Sequence, residues 1–195
     1  MNRKGLTAVA LAAGLSFVTA AQAAPIAVGS NLSLNGNDTY TATATSFSIT
    51  FTNPVHITAT NGSFTVLSPL PVNATMNTNP LTDTTAAGFS LYSATDGTGH
   101  STDLVGASIT SFSFSPATAT TLASLTVNGA GTLDLTGFSP TPGIFSITTQ
   151  GPTGAAVTFS ATSVATAVPE PASLTLLGSA LIGLGWLGRR RRKTV

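Results

Sequence analysis

Apolar and polar residues alternate along much of the middle of the chain, and this pattern predicts short β-strands. Residues 46–51 alternate strictly, which places Phe47, Ile49 and Phe51 on one face. Val55, Ile57 and Ala59 continue the period after Pro54. Because successive side chains of a strand point to opposite faces, the segment indicates a strand with one buried and one solvated face.

Two Asn-Gly pairs predict tight turns between such strands. Asn61-Gly62 and Asn128-Gly129 are dipeptides that hairpin turns favour, because glycine adopts positive φ at little steric cost. A two-residue loop at the first pair would set Ala59 opposite Phe64 and keep the apolar faces of both strands together. A three-residue loop at the second pair gives its flanking strands the better register.

Further alternating runs extend the strand pattern through the rest of the body, and a change of phase after Ile109 indicates a β-bulge. These predicted strands cover residues 88–94, 105–115, 143–150 and 155–164. Roughly eight or nine short strands at this spacing are typical of antiparallel two-layer folds. We therefore predict an all-β domain over residues 24–167, an antiparallel β-sandwich or jelly-roll-like fold.

The N-terminus has the three parts of a secretory signal peptide. Arg3 and Lys4 form a basic start, and the following apolar run covers residues 6–20. A small-x-small sequence then predicts cleavage after residue 23. The predicted signal peptide helix therefore spans residues 1–23, and its processing by signal peptidase places the body outside the cytoplasm. The cleavage-site residues are Ala21, Ala23 and Ala24.

The C-terminal tail, residues 168–195, has three ordered parts of its own. A proline-containing motif comes first, an uncharged apolar run over residues 172–188 follows, and a basic cluster over residues 189–193 ends the pattern. A helix over the apolar run would be roughly 25 Å long, which is close to the thickness of a hydrocarbon core. We expect a transmembrane helix whose basic end stays in the cytoplasm. The motif and the arginines of the basic cluster are Val168, Pro169, Glu170, Pro171, Arg189, Arg190, Arg191 and Arg192.

This tail resembles the PEP-CTERM sorting signal, which bacterial exosortases recognise. The resemblance implies that a membrane-bound exosortase cuts the chain near Pro169-Glu170-Pro171. It also implies an exopolysaccharide-producing, Gram-negative host. The precursor would be held transiently in the inner membrane with its body outside the cytoplasm. The processed protein would reach the cell surface or the extracellular matrix, with exopolysaccharide as a partner.

Charge and cysteine content narrow the function of the body. All seven Lys and Arg residues lie within residues 3–4 and 189–193, whereas five aspartates lie between them, so residues 24–167 carry a net charge of about −5. Nucleic-acid binding needs basic side chains to neutralise phosphates and is therefore excluded for the body. The chain has no cysteine, so we expect stability from the core and from backbone pairing.

Polar functional groups cluster in one segment, residues 96–103. Asp96 and Asp103 are candidate ligands of a Ca²⁺ loop. Ser101, His100 and Asp103 also contain the residue types of a hydrolytic triad, but adjacent residues rarely assemble one. A solvated glycine-rich loop is the simpler interpretation. We expect no catalytic residues, no resident metal and no cofactor.

Two further patterns keep a binding function open. Thr41, Thr43 and Thr45 would form a ladder on one strand face of the kind found on ice-binding surfaces. The only tryptophan lies in the predicted membrane span, which leaves hydrogen-bonding groups as the means of binding a sugar.

The sequence thus predicts a non-enzymatic, exosortase-processed surface or matrix protein. The alternative is a secreted binding module for glycan, calcium or ice. His56 is interpreted as a lone, solvent-facing histidine.

Overall fold

The computed structural model describes residues 23–167 and Ser179. The predicted signal peptide, apart from Ala23, lies outside the described residues. The predicted sorting motif, membrane helix and basic stop lie outside them as well, with Ser179 as the single exception. The architecture below is therefore that of the body.

The body consists of β-strands with one short 3-10 helix, Gly62–Val66. All pairings between the strands are antiparallel. The strands are β1 Asn31–Ala42, β2 Phe47–Thr60, β3 Val72–Met76, β4 Leu81–Thr82, β5 Tyr92–Thr95, β6 Ser101–Ser115, β7 Ser124–Leu135, β8 Thr141–Gln150 and β9 Ala156–Ala165.

The strands form one sheet that closes on itself. Its order is β1-β9-β8-β7-β6-β5-β3-β2, and β1 also pairs with β2, while the short β4 attaches to β2. The predicted all-β, antiparallel class is confirmed. The predicted sandwich or jelly roll is corrected, because the sheet closes into an eight-stranded barrel. The physical reason is that β1 has a hydrogen-bonded partner on both edges, β2 on one and β9 on the other.

The barrel encloses the hydrophobic core. Phe47, Ile49 and Phe51 are buried on one face of β2, as their alternation predicts. The ring of Phe51 meets that of Phe159 edge-on, with centroids 5.0 Å apart. Fully burying a large apolar side chain stabilises the fold by roughly 1.5–3 kcal/mol. His56, on the opposite face of the same strand, is exposed as predicted.

The predicted hairpin at Asn61-Gly62 is wrong. Asn61 has φ −141°, which is extended and incompatible with a type I′ turn. The chain instead enters the 3-10 helix, and Ala59 pairs with Ser33 of β1 rather than with Phe64. Closure of the barrel supplies β2 with a long partner strand, and this pairing overrides the local turn preference. Gly62 has φ +62°, so glycine is needed here for a different turn of the chain.

The predicted hairpin at Asn128-Gly129 is also wrong. Both residues lie inside β7, where Gly129 pairs with Ile109 on one side and with Phe145 on the other. A Cβ atom at Gly129 would overlap the ring of Phe145. This glycine therefore allows a close approach inside the barrel, as glycines within strands often do.

The later predicted strands and the bulge agree with the structure. The segments predicted at 143–150 and 155–164 are β8 and β9. The register of β6 against β7 shifts after Val105 and again after Ile109, which confirms a bulge in this strand. The strand predicted at 88–94 begins later, as β5.

Two asparagine side chains continue the hydrogen-bond ladder beside β2, Asn79 on the backbone of Phe51 in β2 and Asn53 on that of Met76 in β3. The amide of Asn79 accepts a hydrogen bond from the Phe51 N–H (3.0 Å) and donates one to the Phe51 carbonyl (2.8 Å). The amide of Asn53 forms the same two bonds with Met76, at 2.8 Å and 3.2 Å. Each asparagine precedes a proline, which has no N–H to offer. A side-chain amide carries both a donor and an acceptor, so it can replace a peptide group in the ladder.

Both ends of the described body attach near the start of β8. On the N-terminal side, the carbonyl of Ala24 accepts a hydrogen bond from the Ser139 N–H (2.9 Å). On the C-terminal side, Thr166 donates to the carbonyl of Pro142 through its N–H (2.8 Å) and its hydroxyl (3.0 Å). The two chain ends therefore leave the barrel from the same end.

We expect Asn79→Ala to lower the free energy of unfolding by about 2 kcal/mol, because both backbone groups of Phe51 lose their partner. Asn73→Ala, at an exposed position of β3, is the matched control and should stay within about 0.5 kcal/mol of the wild type. Urea titrations of the purified variants measure both changes. Equal stabilities for the two variants would contradict the ladder role of Asn79.

Candidate functional site

The side chain of Asp96 organises the loop between β5 and β6. It is fully buried, and its Oδ1 accepts hydrogen bonds from the N–H groups of Thr98 (2.8 Å) and His100 (2.9 Å). Its Oδ2 accepts one from the N–H of Ser68 (3.0 Å), in the connection before β3. Asp96 therefore ties two segments of one end of the barrel together.

These hydrogen bonds control the charge of Asp96. Desolvation acts to raise the pKa of the carboxyl group, but the N–H of Ser68 and the groups of Thr98 and His100 outweigh it and hold the pKa well below its usual range. The imidazole of His100 lies 3.2 Å from Oδ2. The carboxylate is thus a stable anion whose two oxygens are already engaged.

The structure separates the remaining candidates of the polar segment. The hydroxyl of Ser101 lies 3.0 Å from that of Thr136 rather than against the imidazole of His100. Asp103 lies on β6, directly opposite Asp134 of β7. Burial and the charge of Asp134 raise the pKa of Asp103. Within residues 23–167 and Ser179, no group of three or more His, Cys, Asp or Glu residues is placed to hold a metal ion.

Asp38 is a buried acid inside the barrel. Its side chain is fully enclosed, and Oδ1 accepts a hydrogen bond from the hydroxyl of Thr149 (3.0 Å). Its Oδ2 has no partner in the described part of the chain. Burial raises the pKa of Asp38 to about 6, although the bond from Thr149 acts to lower it. Burial therefore keeps this carboxyl group protonated to a higher pH than a solvent-exposed aspartate.

The threonines at 41, 43 and 45 do not form a ladder on one strand. β1 ends at Ala42, and the Thr43 hydroxyl lies 2.9 Å from that of Ser46 in the turn to β2. Only Thr41 of the three belongs to a strand. The arrangement lacks the regular spacing on which the ice-binding interpretation depended.

Two rows of polar side chains cross the outer face of β8, β9, β1 and β2. All eight are exposed or half-buried, and they line a concave groove of about 810 Å³. We call this surface the polar groove. In strand order, its first row is Thr148, Ser160, Asn35 and His56, and its second row is Gln150, Thr158, Asn37 and Thr52.

A bulge in β2 gives the polar groove its depth. Asn35 pairs with His56, but Asn37, two residues on, pairs with Thr52, four residues back. The three residues 53–55 of β2 therefore lie opposite Gly36 alone. Bulges of this kind bend a strand and increase its local twist, and here the sheet folds into a concave surface.

Gly36 allows the floor of the groove to approach the core. A Cβ atom at this position would lie 2.8 Å from the side chains of Phe159 and Val55, which is closer than any real contact. Phe159 is buried yet contributes to the lining at this point. The groove is therefore a polar surface built directly on a packed apolar layer, which holds its side chains on rigid strands.

Sequence reasoning placed only His56 of the polar groove, and only as an exposed residue. The eight side chains come from four separate stretches of the chain. Pairing of β1 and β8 with β9 brings six of them together, and closure of the barrel adds the two from β2. The signal that could have found them is the polar half of each alternating strand, for example Asn35 and Asn37 in β1.

The C-terminal tail matches the family model of the PEP-CTERM protein-sorting motif over residues 167–192. This confirms the resemblance drawn from the motif, the apolar run and the arginines. The motif is that of an exported protein targeted to an exosortase. No curated protein and no solved structure gave a match to the chain. Among the described residues, no helix has the length and apolar character needed to cross a membrane.

We expect stability to fall as the pH rises from about 4 to above 6, through the ionisation of Asp38. The folded pKa of about 6 lies above the unfolded value of roughly 3.9. The folded state therefore holds the proton longer, and ionisation costs up to about 3 kcal/mol. Asp38→Asn cannot ionise, so its free energy of unfolding, measured at pH 4 and pH 7.5, should exceed the wild-type value only at the higher pH. A pH-independent difference would contradict the role of Asp38.

Asp96 should show the opposite pH dependence. Its folded pKa is lowered, so its stabilising effect is present above about pH 4 and is lost as the pH falls. Asp96→Asn should lower the thermal midpoint at pH 7, and the difference from the wild type should shrink below pH 4. Asp134→Asn is the control with the opposite sign, because it removes repulsion from Asp103 and should raise the midpoint at pH 7. A gap between Asp96→Asn and wild type that persists unchanged at low pH would refute this assignment.

Proposed function

We propose that this protein is a non-enzymatic component of the cell surface or extracellular matrix, which an exosortase releases from its membrane-bound precursor. The observation that carries the proposal is the ordered tail: motif, apolar run and basic cluster, within the match over residues 167–192. A simple membrane anchor would need only the last two parts. The motif Pro169-Glu170-Pro171 adds a site for recognition and cleavage.

Each part of the tail has a physical role in this proposal. The prolines of the motif lack an N–H and restrict the residues before them, so a helix cannot continue upstream. In this proposal the exosortase recognises the chain around Glu170. The apolar run 172–188 holds the precursor beside the membrane-bound enzyme, and the arginines keep its C-terminus in the cytoplasm.

The body lies close to the proposed cleavage site. Thr166 is hydrogen-bonded to Pro142 of the barrel, and only Ala167 separates it from Val168, where the motif begins. At no more than about 3.6 Å per residue, residues 167–171 can extend by roughly 18 Å. The barrel is therefore kept near the membrane until the tail is cut.

The chemistry of the body favours a structural or binding role over catalysis. The carboxylate of Asp96 is engaged by backbone N–H groups, and Ser101 and His100 have separate partners. The closed sheet also pairs the edges through which strands of different molecules associate. Such a fold suits a protein that functions outside the cell without disulfides.

Replacing Pro169-Glu170-Pro171 by three alanines should block maturation and leave membrane insertion intact, because insertion depends on the apolar run and the arginines. Precursor and mature bands in the producing host are compared by immunoblotting of membrane and medium fractions. Pro116→Ala, in an exposed loop of the body, is the control and should mature normally.

A normal amount of mature product from the triple-alanine variant would refute the proposed processing. Precursor in the soluble fraction would refute the proposed role of the apolar run instead. The processed form should also be acidic, since all seven basic residues lie in the two predicted removable ends. Isoelectric focusing of the mature band reports this directly.

A further inference from the structure

We propose that the polar groove binds a segment of a neutral polysaccharide. The inference deepens the proposed function, because it assigns the matrix partner and the surface that contacts it. It rests on the groove and not on the tail. Binding can therefore be measured whether or not the tail is processed.

The side chains of the polar groove match the hydrogen-bonding character of sugar hydroxyls. Ser and Thr hydroxyls and Asn and Gln amides both donate and accept hydrogen bonds, and sugar hydroxyls do the same. Seven of the eight residues belong to these four types, and the eighth is His56. An apolar ligand would leave these groups unpaired, which is costly on binding.

The shape of the groove suits a chain of sugars rather than a single ring. Its rows cross four strands, and neighbouring strands lie about 4.8 Å apart, so each row is roughly 14 Å long. The two rows are separated by two residues along β8, β9 and β1, which is about 7 Å, and by the four residues of the bulged segment along β2. A polysaccharide segment lying across the strands would meet both rows along its length.

Charge selects a neutral polymer over an acidic one. The eight groove residues include no Lys, Arg, Asp or Glu, and residues 24–167 contain five aspartates and no Lys or Arg. An acidic polysaccharide would find no cation in the groove and a body with a net charge of about −5. Long-range repulsion would slow its approach.

The backbone of the groove is also preformed. Its side chains stand on paired strands, and the Asn35 amide donates a hydrogen bond to the Thr58 hydroxyl (3.1 Å) at the groove wall. The floor at Gly36 rests on Phe159 and Val55. The backbone that carries these side chains is therefore already fixed before binding, which lowers the entropic cost of binding.

The test uses protein expressed from the full-length sequence and purified in a mild detergent. Affinity electrophoresis in gels containing dextran, soluble β-glucan or galactomannan measures binding to neutral polymers, and alginate and polygalacturonate serve as acidic polymers. We expect retardation by at least one neutral polymer and none by the acidic ones.

Two double variants locate the binding surface. Asn37→Ala with Thr158→Ala removes two groups from the second row and should weaken binding about tenfold, as expected for two lost hydrogen bonds. Asn73→Ala with Thr75→Ala removes the same residue types from the exposed face of β3 and should bind as the wild type does. Circular dichroism confirms that each variant is folded. If the groove variant is not folded, Thr52→Lys is used in its place. Its long side chain would occupy part of the groove and should also weaken binding to the neutral polymer.

Each result decides the proposal. No retardation by any neutral polymer, binding to acidic polymers only, or equal weakening in both double variants would overturn it. The groove variant should still be processed in the host, and the triple-alanine tail variant should still bind. If the wild type is processed normally but binds no neutral polymer, the groove proposal is refuted and the processing proposal stands. If it binds a neutral polymer but its processing does not depend on the motif, only the processing proposal is refuted.

Discussion

The hydrogen-bonded pairing of β1 with β2 is the interaction on which the rest of the structure depends. The other pairings form a sheet with β1 and β2 at its two ends, and this one pairing joins them. Closure encloses the core, including Phe51 and Phe159, without a disulfide. It also sets β2 beside β1, whose other edge pairs with β9, and so completes the surface that carries the polar groove. The bulge opposite Gly36 lies within the same pairing.

The strands and their buried faces could be predicted because period-two alternation is a local signal. Phe47, Ile49 and Phe51 are buried and His56 is exposed, as alternation required. The turns failed because an Asn-Gly pair states only a local preference. At Asn61 a long partner strand competed with the hairpin, and at Gly129 the missing side chain served packing against Phe145 rather than a turn.

The tail could be identified from the sequence, whereas the groove could not, because only the tail is a local signal. The sorting signal is contiguous, so its order and composition identify it without a structure. The polar groove combines residues such as Asn35, His56 and Gln150, which are far apart in the chain. Pairing of β1 and β8 with β9 brings Asn35 and Gln150 to one face, and closure of the barrel adds His56 of β2. An open sheet with the same strands would lack the β2 side of the groove. Asp38 was equally hidden, because nothing in its neighbourhood in the sequence indicates a buried acid.

Both ends of the described body are hydrogen-bonded near the start of β8, so they mark one end of the barrel. Strand β8 begins beside these attachments at Thr141, and its groove residues, Thr148 and Gln150, lie seven and nine residues further on. At about 3.4 Å per residue the groove begins roughly 24 Å along the strand. If the tail anchors the precursor and the groove binds a polymer, as proposed, the barrel acts as a spacer between the two. The groove of an anchored molecule would then face away from the membrane and could reach a polymer layer before the tail is cut.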